Sequence, residues 1–501
     1  MLSTSVHAAT WFVDDDAVPD GNGQSWATAF DELQDALDVA ESGDKIWLAA
    51  GTYVPSVAIS VQGDEPERET FLIDRTLSIY GGFAGFETSL DERDIDANPS
   101  ILSGDLNGDD EPEFTNRDDN ALHVVTLETP LGRPPGRFVL DGLTIRGGHA
   151  PDTFGGGLYA VRAIVTMQSC VICDNFSIAG GAIYAEDSAL SLSESQIRHN
   201  HVFADEQGGG GAGVLTLNSS LTINACEFEA NIVDGIDFAP GGAILGLGGQ
   251  HSIHNSVFAM NQCKSSGGAV HIQNGGAGLS FDAFLRGCTF TGNQTTGTDS
   301  FSSGGAVHIQ HQNIDTLSSA VVCTCVFDGN SAWSSGALMM FIFGGAPFEG
   351  SVEACTFSRN ESITGSTFGT QDSFHSHPDT FVRISNSLFV ANAASASTGG
   401  GDAAVSFFRT PGELLNTTVV ANVAGSFGGV YASSDAEFGI RSCIVVDNRD
   451  SAGVQPPLQY NRSDDGSARF NIIQNVPPNP FGNIDADPLF VDPDGPDGQI
   501  G

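Results

Sequence analysis

A six-residue pattern of alternating small or apolar and polar residues, closed by asparagine, recurs eleven times along this chain. In the copy CTFTGN at residues 288–293, Cys288 and Phe290 alternate with threonines. Alternation with a period of two predicts a half-buried β-strand, and Val, Thr and Phe favour strands. The closing residues are Asn175, Asn200, Asn231, Asn261, Asn293, Asn330, Asn360, Asn392, Asn422, Asn448 and Asn475. They follow one another after 25 to 37 residues, a period that indicates a solenoid of stacked units.

A second recurring element is a pair of glycines followed by apolar residues, which precedes most hexads. It occurs as GGAI at Gly180 and Gly241 and as GGAV at Gly267 and Gly304. Paired glycines permit a tight turn, and the apolar residues behind them predict a strand. Two short strands per repeat, with no helical segment between them, predict one coil of a β-helix. The predicted fold class is all-β: a single right-handed parallel β-helix (solenoid) with an N-terminal helical cap.

Stacked coils bring equivalent residues of successive repeats about 4.8 Å apart, the usual distance between neighbouring strands. We therefore expect the hexad asparagines to form a structural ladder of inward-pointing amides. The phenylalanines at the third place should stack as an internal column: Phe228, Phe258, Phe290, Phe327, Phe357 and Phe389. Six cysteines occupy the first place, where we interpret them as buried fillers rather than disulfide partners or metal ligands: Cys170, Cys226, Cys288, Cys325, Cys355 and Cys443.

The flanking segments differ in composition from the repeats and predict a division into five regions. These are 1–10, the remnant of a signal peptide; 11–60, an N-terminal cap with the first strands; 61–150, the first coils with an acidic loop at 91–120; 151–475, the regular coils; and 476–501, an acidic Pro/Gly tail that we expect to be truncated. Within the cap, Thr28 and Asp31 predict the capped start of an amphipathic helix that ends at Gly43. We expect this helix to cover the open end of the core.

The chain is strongly acidic, with 19 basic and 62 acidic residues and a formal net charge of −43. Such a surface repels nucleic acid and anionic membranes and favours divalent cations, although a halophilic or marine environment explains it equally well. No run of 18 apolar residues occurs, so we expect no transmembrane helix. We expect a monomer that has no nucleic-acid partner.

The two repeated motifs, GGA(I/V) and FxxN, extend over roughly residues 155–450. They resemble the repeats of polymorphic outer-membrane proteins and of the wider right-handed parallel β-helix families with a pectate-lyase-like fold. The opening WFVDDD and GDKIWLAAGTYVP and the closing DPLFVDPDGPDG resemble large exported β-helix proteins of environmental bacteria. The resemblance implies a secreted or outer-membrane-associated bacterial protein and, for the polymorphic family, a role in adhesion. Because polysaccharide-cleaving enzymes share the fold, the fold does not choose a function.

One column of the strand behind the glycine pairs contains aromatic and imidazole side chains. We take five of its members as candidate carbohydrate-binding residues: Tyr159, Tyr184, His271, His308 and Tyr431. If these side chains point outward, they form a stripe on which sugar rings can stack. Two alternatives stay open, namely that loops or the core cover the column, and that His271 and His308 form a metal pair.

Two acidic segments are candidate calcium sites, and calcium is the one cofactor that the sequence suggests. Asp105, Asn107 and Asp109 place oxygen ligands at alternating positions, as calcium loops do. In the tail, acidic residues recur among Pro and Gly: Asp492, Asp494 and Asp497. The alternative is that these side chains cap turns.

The sequence assigns no catalytic residue, because the hexad faces contain no cluster of acids. We predict an exported or cell-surface, non-catalytic β-helix protein that acts in surface structure, adhesion or carbohydrate binding, with a polysaccharide or cell-surface glycan as its partner. The alternative is a polysaccharide lyase or glycoside hydrolase on the same fold. Three carboxylates and an arginine within about 8 Å in one groove would favour the enzyme, whereas a neutral aromatic stripe would favour binding.

Overall fold

A computed structural model describes residues 8–56, 58–59, 68–205, 209–235, 238–275, 280–298, 302–312, 316–373, 377–394, 403–424, 428–433, 435–449, 468–474, 482–486 and 488. The chain divides into two compact units, Met1–Ile232 and Val233–Gly501. In each unit, strands of successive repeats pair in parallel, and the chain passes from sheet to sheet within a repeat. This is the architecture of a parallel β-helix, and it confirms the predicted all-β solenoid, apart from the helical cap.

The first unit contains four parallel sheets. The opening sheet contains Thr10–Val13, Lys45–Ala49, Leu77–Phe83, Gly136–Asp141, Ala163–Gln168, Ala189–Ser193 and Ser220–Asn224. The sheet formed by the hexads, here called the hexad sheet, contains Gly51–Tyr53, Ser100–Ser103, Leu143–Arg146, Val171–Cys173, Gln196–Arg198 and Glu227–Glu229. A short sheet contains His149–Phe154, Phe176–Ala179 and His201–Ala204. The sheet behind the glycine pairs, here called the GGA sheet, contains Phe71–Ile73, Val125–Glu128, Leu158–Val161, Ile183–Glu186 and Val214–Leu217.

The second unit repeats these four kinds of strand. One sheet contains Gly249–His254, Phe281–Arg286, Ser318–Cys323, Phe348–Glu353, Phe381–Ser385, Gly412–Leu415, Phe438–Arg441 and Ala468–Arg469. The hexad sheet contains Val257–Ala259, Thr289–Thr291, Val326–Asp328, Thr356–Ser358, Leu388–Val390, Thr418–Val420, Ile444–Val446 and Ile472–Ile473. The short sheet contains Gln262–Cys263, Gln294–Thr295, Ser331–Ser334, Glu361–Thr364 and Ala393–Ala394. The GGA sheet contains Ile244–Leu247, Val270–Gln273, Val307–His311, Leu338–Ile342, Phe368–Asp372, Val405–Phe408 and Val430–Ala432.

Three further strands complete the set that the structure describes. The strand Ile232–Gly235 contains the boundary between the two units. The strands Ala58–Ile59 and Arg68–Glu69 pair with each other in antiparallel orientation.

Each repeat contains up to four strands, whereas the sequence predicted two. The additional strands belong to the opening sheet and the short sheet, and only the latter are very short, as in Gln294–Thr295, which has two residues. The strands of the opening sheet do alternate, as in Ala163–Gln168, in which Val165 and Met167 are buried while Thr166 and Gln168 are exposed, so a visible pattern was missed there. A strand of two residues contains no such alternation, so the sequence pattern does not reveal it.

The hexad asparagines form a hydrogen-bonded ladder within each unit, and all those that the structure describes are at most 1% exposed. In the first unit, Asn175 Nδ2 donates to Oδ1 of Asn200, and Asn200 Nδ2 donates to Oδ1 of Asn231, each at 3.0 Å. In the second unit the same bond, 2.8–3.0 Å long, joins successive members of the series Asn261, Asn293, Asn330, Asn360, Asn392, Asn422 and Asn448. Each accepting oxygen also takes a backbone N–H of the preceding asparagine.

The last hexad is displaced by one residue from the predicted register. Ile472 pairs with Ile444, which places Asn471 opposite Cys443 at the first place of the hexad. The hexad pattern predicts Phe470 at this first place, but its side chain is 73% exposed. Asn475, the predicted end of the ladder, lies outside the described residues.

The third place of the hexads fills the core with aromatic rings. In the second unit, Phe258, Phe290 and Phe327 stack with ring centroids 4.9 Å apart, and Phe357 and Phe389 continue the stack at 4.7 and 4.4 Å. All five are fully buried, and so is Phe228 in the first unit. The six first-place cysteines are buried free thiols.

The helices among the described residues are short: the 3₁₀ segments Trp26–Thr28 and Leu90–Glu92, and the α-helix Leu33–Val39. The predicted capped start at Thr28 and Asp31 is wrong. The helix begins after Glu32, because Phe30 forms a β-bridge with Val13 that holds this segment extended. None of these helices is long and apolar enough to cross a membrane. The α-helix contacts the strand Thr10–Val13, and its role as a cap stays a prediction.

The acidic segment 91–120 was predicted to be poor in strands, but it contributes one. Ser100–Ser103 belongs to the hexad sheet, with Leu102 buried in the core. The buried hydroxyl of Ser100 donates to the carbonyl oxygen of Leu48, which ties the strand to its neighbours. The remainder of the segment is irregular apart from the end of the 3₁₀ segment Leu90–Glu92 and the bridge between Glu111 and Thr115.

Candidate functional site

The candidate column behind the glycine pairs is in register in the second unit. His271 pairs with His308, and His308 pairs with Met339 on the next strand of the GGA sheet. The two imidazole rings are parallel within 3°, and their centroids are 4.8 Å apart. Parallel in-register pairing therefore turns two copies of the motif GGAVHIQ into a stacked histidine pair.

The predicted exposure of this column is wrong for both histidines. His271 is fully buried, and His308 is 4% exposed. Serines placed just before the glycine pairs fold over the rings: Ser266 Oγ lies 3.0 Å from His271 Nδ1, and Ser303 Oγ lies 2.9 Å from His308 Nδ1. The ring of Phe238 also packs edge-on against His271. The sequence missed these contacts because they come from turns and from a neighbouring loop.

The two tyrosines of the first unit form a separate aromatic stack. Tyr159 lies in register with Tyr184, and their centroids are 5.4 Å apart. Tyr184 is 4% exposed, donates from its hydroxyl to Glu186 and stacks on Phe154, while Tyr159 stacks on His123. For Tyr184 the prediction of an outward, accessible ring is therefore wrong.

The column does not continue as an aromatic stripe toward Tyr431. Met339 pairs with Gly369, Gly369 with Ser406, and Ser406 with Tyr431. Tyr431 is half-buried and lies outside the cavity that His308 borders. Neither glycine nor serine offers a ring, so the stripe ends at His308.

A groove of about 820 Å³ lies against the GGA sheet of the second unit. His308 and Met339 belong to its wall, and Phe238 and Phe341 supply aromatic surface. The remaining lining side chains are mainly hydroxyls and amides of Ser, Thr and Gln, with Lys264 as the cation. No carboxylate borders the groove among the residues that the structure describes.

The amides of the groove belong to a second column that the sequence reasoning missed. Gln273 pairs with Gln310, Gln310 with Phe341, and Phe341 with Gln371. These residues lie two positions after the histidine column, so the period of two places them on the same face of the strand. The alternation within GGAVHIQ, followed from the histidine to the glutamine two residues later, predicts this column.

Two of the described lining residues have a buried polar atom without a hydrogen-bond partner, namely Oγ of Ser265 and Nε2 of His308. The other ring nitrogen of His308, Nδ1, is bonded to Ser303. Gln310 stands close enough to raise the pKa of the ring but forms no aligned hydrogen bond with Nε2. In the preceding coil both ring nitrogens of His271 are satisfied, because Nε2 lies 3.1 Å from Gln273 Oε1.

Burial keeps both imidazoles neutral. It lowers the pKa of His271 to about 4, and burial together with the adjacent His271 ring lowers the pKa of His308 well below its ordinary value. Of the two rings only His308 has an open nitrogen, whereas a metal pair would need one from each, and this alternative stays a prediction. The groove therefore offers a neutral hydrogen-bonding atom beside apolar and amide surface.

The structure brings two of the three predicted calcium ligands together with a further carboxylate. Carboxylate oxygens of Asp105, Asp109 and Asp119 lie within 4.8 Å of one another, and Asn107 is exposed. Asp105 also accepts backbone N–H groups of Gly108 and Asp109, as the turn-capping alternative expects. The spacing of acidic residues along the sequence does not predict Asp119 as a ligand, because the chain returns to the cluster only after the bridge between residues 111 and 115. The acidic tail residues Asp492, Asp494 and Asp497 lie outside the described residues.

Beside this cluster, a cleft of about 380 Å³ brings acids and arginines together in the first unit. Asp105, Asp110 and Asp174 line it together with Arg117 and Arg146. Arg117 is buried and lies 3.4 Å from Asp110, and its guanidinium also donates to the backbone oxygen of Asp174. Burial raises the pKa of Asp110 although Arg117 opposes the shift.

No protein family model and no curated protein matches this sequence. Solved structures to which this chain is similar include a rhamnogalacturonan lyase (11% identity, TM-score 0.26, 82% of this chain and 87% of that chain). They also include the pectate lyase Pel9A (11%, 0.28, 92% and 90%) and the catalytic domain of Agl-KA (12%, 0.32, 88% and 69%). Similarity of this size carries no argument about what the present chain binds or cleaves.

Proposed function

We propose that this chain is an exported β-helix protein that binds carbohydrate without cleaving it. The observation that carries the proposal is the lining of the groove, which combines Phe238 and Phe341 with amide and hydroxyl side chains. Sugars present apolar ring faces and hydroxyl edges, and a site with aromatic surface and a few polar groups complements both. Phe238 is 43% exposed and so has surface available for such contacts.

The chemistry of the groove favours binding over cleavage. Hydrolysis of a glycosidic bond uses a pair of carboxylates, and a calcium-assisted reaction needs acidic oxygen ligands. Neither set is present among the described lining residues. Lys264 is not placed as a general base either, because its Nζ donates to the backbone oxygen of Gly235 at 2.6 Å.

The location on the outer cell surface is part of the same proposal. The GGA(I/V) and FxxN repeats resemble those of polymorphic outer-membrane proteins, for which adhesion is the expected role. We propose that the protein is a monomer and contacts a cell-surface glycan or a polysaccharide. Protease accessibility of the protein on intact cells of its source would test the location.

The binding proposal is tested by removing one aromatic side chain from the groove. Phe341→Ala should weaken binding to a panel of immobilised polysaccharides by about tenfold. Loss of one stacking aromatic side chain from a binding site costs about 1–3 kcal/mol in binding free energy. Phe408→Ala is the matched control, because Phe408 is 37% exposed and pairs with Gln371 in the same column but does not line the groove. Equal loss in both variants, or no binding by the wild type, would refute the proposal.

A second candidate function is polysaccharide cleavage in the acidic cleft of the first unit. The observation in its favour is the combination of three aspartates with Arg117 and Arg146 in one cleft. Arg146 is the exposed arginine and would be the group that meets a substrate. Incubation with pectin-type and alginate-type polymers, with and without calcium, should release unsaturated or reducing ends that Arg146→Ala abolishes. Absence of such ends for the wild-type protein excludes this function.

A further inference from the structure

The groove of the second unit has the chemistry of a site for an uncharged ligand. Its described lining combines neutral amides, hydroxyls and aromatic rings, and the ammonium of Lys264 is bonded to a backbone oxygen. A polymer of uronic acids carries one carboxylate on each sugar, and each would need a cationic or donor-rich partner on burial. The net charge of −43 adds long-range repulsion against such a polymer.

Within this lining, His308 differs from the equivalent residue of the preceding coil. His271 and His308 occur in the same motif, stack on each other and share the same hydrogen bond from Nδ1 to a serine. Only Nε2 of His308 is left without a partner, on a side chain that is 4% exposed and borders the groove. A buried polar atom without a partner is unfavourable, so a ligand that supplies one gains affinity at this point.

The protonation state of His308 decides what that partner can be. The imidazole is neutral near pH 7, because burial and the neighbouring His271 lower its pKa. Ser303 holds Nδ1 and thereby fixes the orientation of the ring. A neutral ring nitrogen pairs with a hydroxyl, but it contributes no charge that would neutralise a carboxylate.

We propose that the groove selects an uncharged glycan over uronate polymers, and that Nε2 of His308 is the specificity-determining atom that bonds a sugar hydroxyl. The inference rests on the proposed carbohydrate-binding function and names the ligand class. It extends to Ser303 as a positioning residue, since the Ser303 hydroxyl lies 2.9 Å from Nδ1 and so fixes the orientation of the ring that borders the groove.

The test compares two ligand classes and two histidines. Wild-type protein is titrated with uncharged oligosaccharides of the glucan, mannan, xylan and galactan types, and with oligogalacturonate and oligoalginate, at low and at physiological salt. We expect binding to at least one uncharged series, and at least tenfold weaker binding to both uronates at either salt concentration. His308→Leu should weaken binding of the uncharged ligand by about tenfold, since that factor corresponds to about 1.4 kcal/mol, the scale of one hydrogen bond to a buried group.

His271→Gln serves as the matched control. We expect this variant to bind within about threefold of wild type, because both ring nitrogens of His271 are already hydrogen-bonded within the protein. His308→Gln keeps a polar end and should recover part of the affinity that His308→Leu loses. It is also the control for a folding defect in His308→Leu. If uronates bind as well as the uncharged series, or if His308→Leu binds like wild type, the inference is overturned while carbohydrate binding stands. If no oligosaccharide of either class binds, the proposed function itself fails.

Discussion

The residue before each ladder asparagine turns the chain so that the amide points inward. Asp174, His199, Met260 and Arg359 at this place all have φ between 52° and 57°, in the left-handed region. Non-glycine residues rarely adopt this conformation, and the side chains at this place share no chemistry. The amide ladder, which satisfies each buried group in turn, is therefore what holds the turn in place.

Removing one ladder amide should destabilise the fold strongly. In Asn330→Ala, the backbone N–H and the side-chain Nδ2 of Asn293 lose their shared acceptor. This acceptor is Oδ1 of Asn330, which lies 3.0 and 2.9 Å from the two donor atoms. Two unsatisfied buried donors cost about 2–5 kcal/mol in free energy of unfolding. Urea unfolding followed by circular dichroism measures the change, with Thr291→Ala as the control, since this exposed side chain should change stability by less than about 0.5 kcal/mol. Similar stability for the two variants would show that the ladder is not a major source of stability.

Buried histidines should make the protein less stable in mild acid. His271 stays neutral in the folded protein down to a pKa of about 4, whereas the unfolded chain takes up this proton near its ordinary pKa. The stabilising contribution is thus complete above the unfolded pKa and is lost as the pH falls toward the folded one. Between about pH 6 and pH 5, the free energy of unfolding of wild type should fall more steeply than that of His271→Gln, by about 1.4 kcal/mol per pH unit at most. Parallel pH profiles would contradict this assignment.

At the scale of single elements, the acidic loop illustrates how a structural cluster departs from a sequence motif. The sequence predicted a calcium site at Asp105, Asn107 and Asp109, and the structure adds the carboxylate of Asp119 to those of Asp105 and Asp109. One carboxylate oxygen of Asp119 is buried without a hydrogen-bond partner. Calcium at this loop stays a prediction, now with Asp119 as an additional candidate ligand.

The two sets of ligands are separable by substitution. If calcium binds through the carboxylate cluster, Asp119→Asn should abolish the heat of binding in calorimetric titration. If the three carboxylates suffice, Asn107→Ala should leave this heat unchanged. Calcium at one hundred times its Kd should stabilise the wild type by about 2.7 kcal/mol. Asp118→Asn, an exposed neighbour outside the cluster, is the control for the loss of charge alone. Loss of binding in Asn107→Ala would instead support the sequence motif, and no heat in the wild type would exclude the site.

At the scale of the whole molecule, the dominant feature is the negative charge. With 62 acidic and 19 basic residues, most carboxylates have no cation of their own. Many of the ion pairs present, such as Arg359 with Asp328 and Arg383 with Glu413, join neighbouring coils at half-exposed or exposed positions. Pairs of this kind contribute little to stability, so self-repulsion is the main electrostatic term.

Salt should therefore stabilise the protein. Raising NaCl from about 0.05 to 1 M shortens the Debye length from more than 10 Å to about 3 Å, which screens repulsion between carboxylates. We expect the temperature of unfolding to rise by a few degrees, and KCl to have the same effect because screening depends on ionic strength. An unchanged or lower unfolding temperature at high salt would show that self-repulsion is not limiting.

Much of the fold follows from the sequence because in-register stacking makes equivalent residues of successive repeats into neighbours. The spacing of the hexads was enough to predict the amide ladder from Asn261 to Asn448, the phenylalanine stack and the buried cysteines. It failed for the final hexad, where Phe470 mimics an apolar first place but Asn471 occupies it. The helix start at Thr28 failed because a bridge to the distant Val13 overrides the local capping signal.

The site depended on contacts that no repeat pattern contains. The sequence by itself determined which residues share a column, including His271 with His308, because strand period and parallel pairing leave no other choice. Only the tertiary structure decided that these rings are buried, that the groove lies beside His308 and that Asp119 joins the acidic cluster. Burial and cavity shape depend on turns and loops whose conformation is set by packing against other coils, and this information is not periodic along the chain.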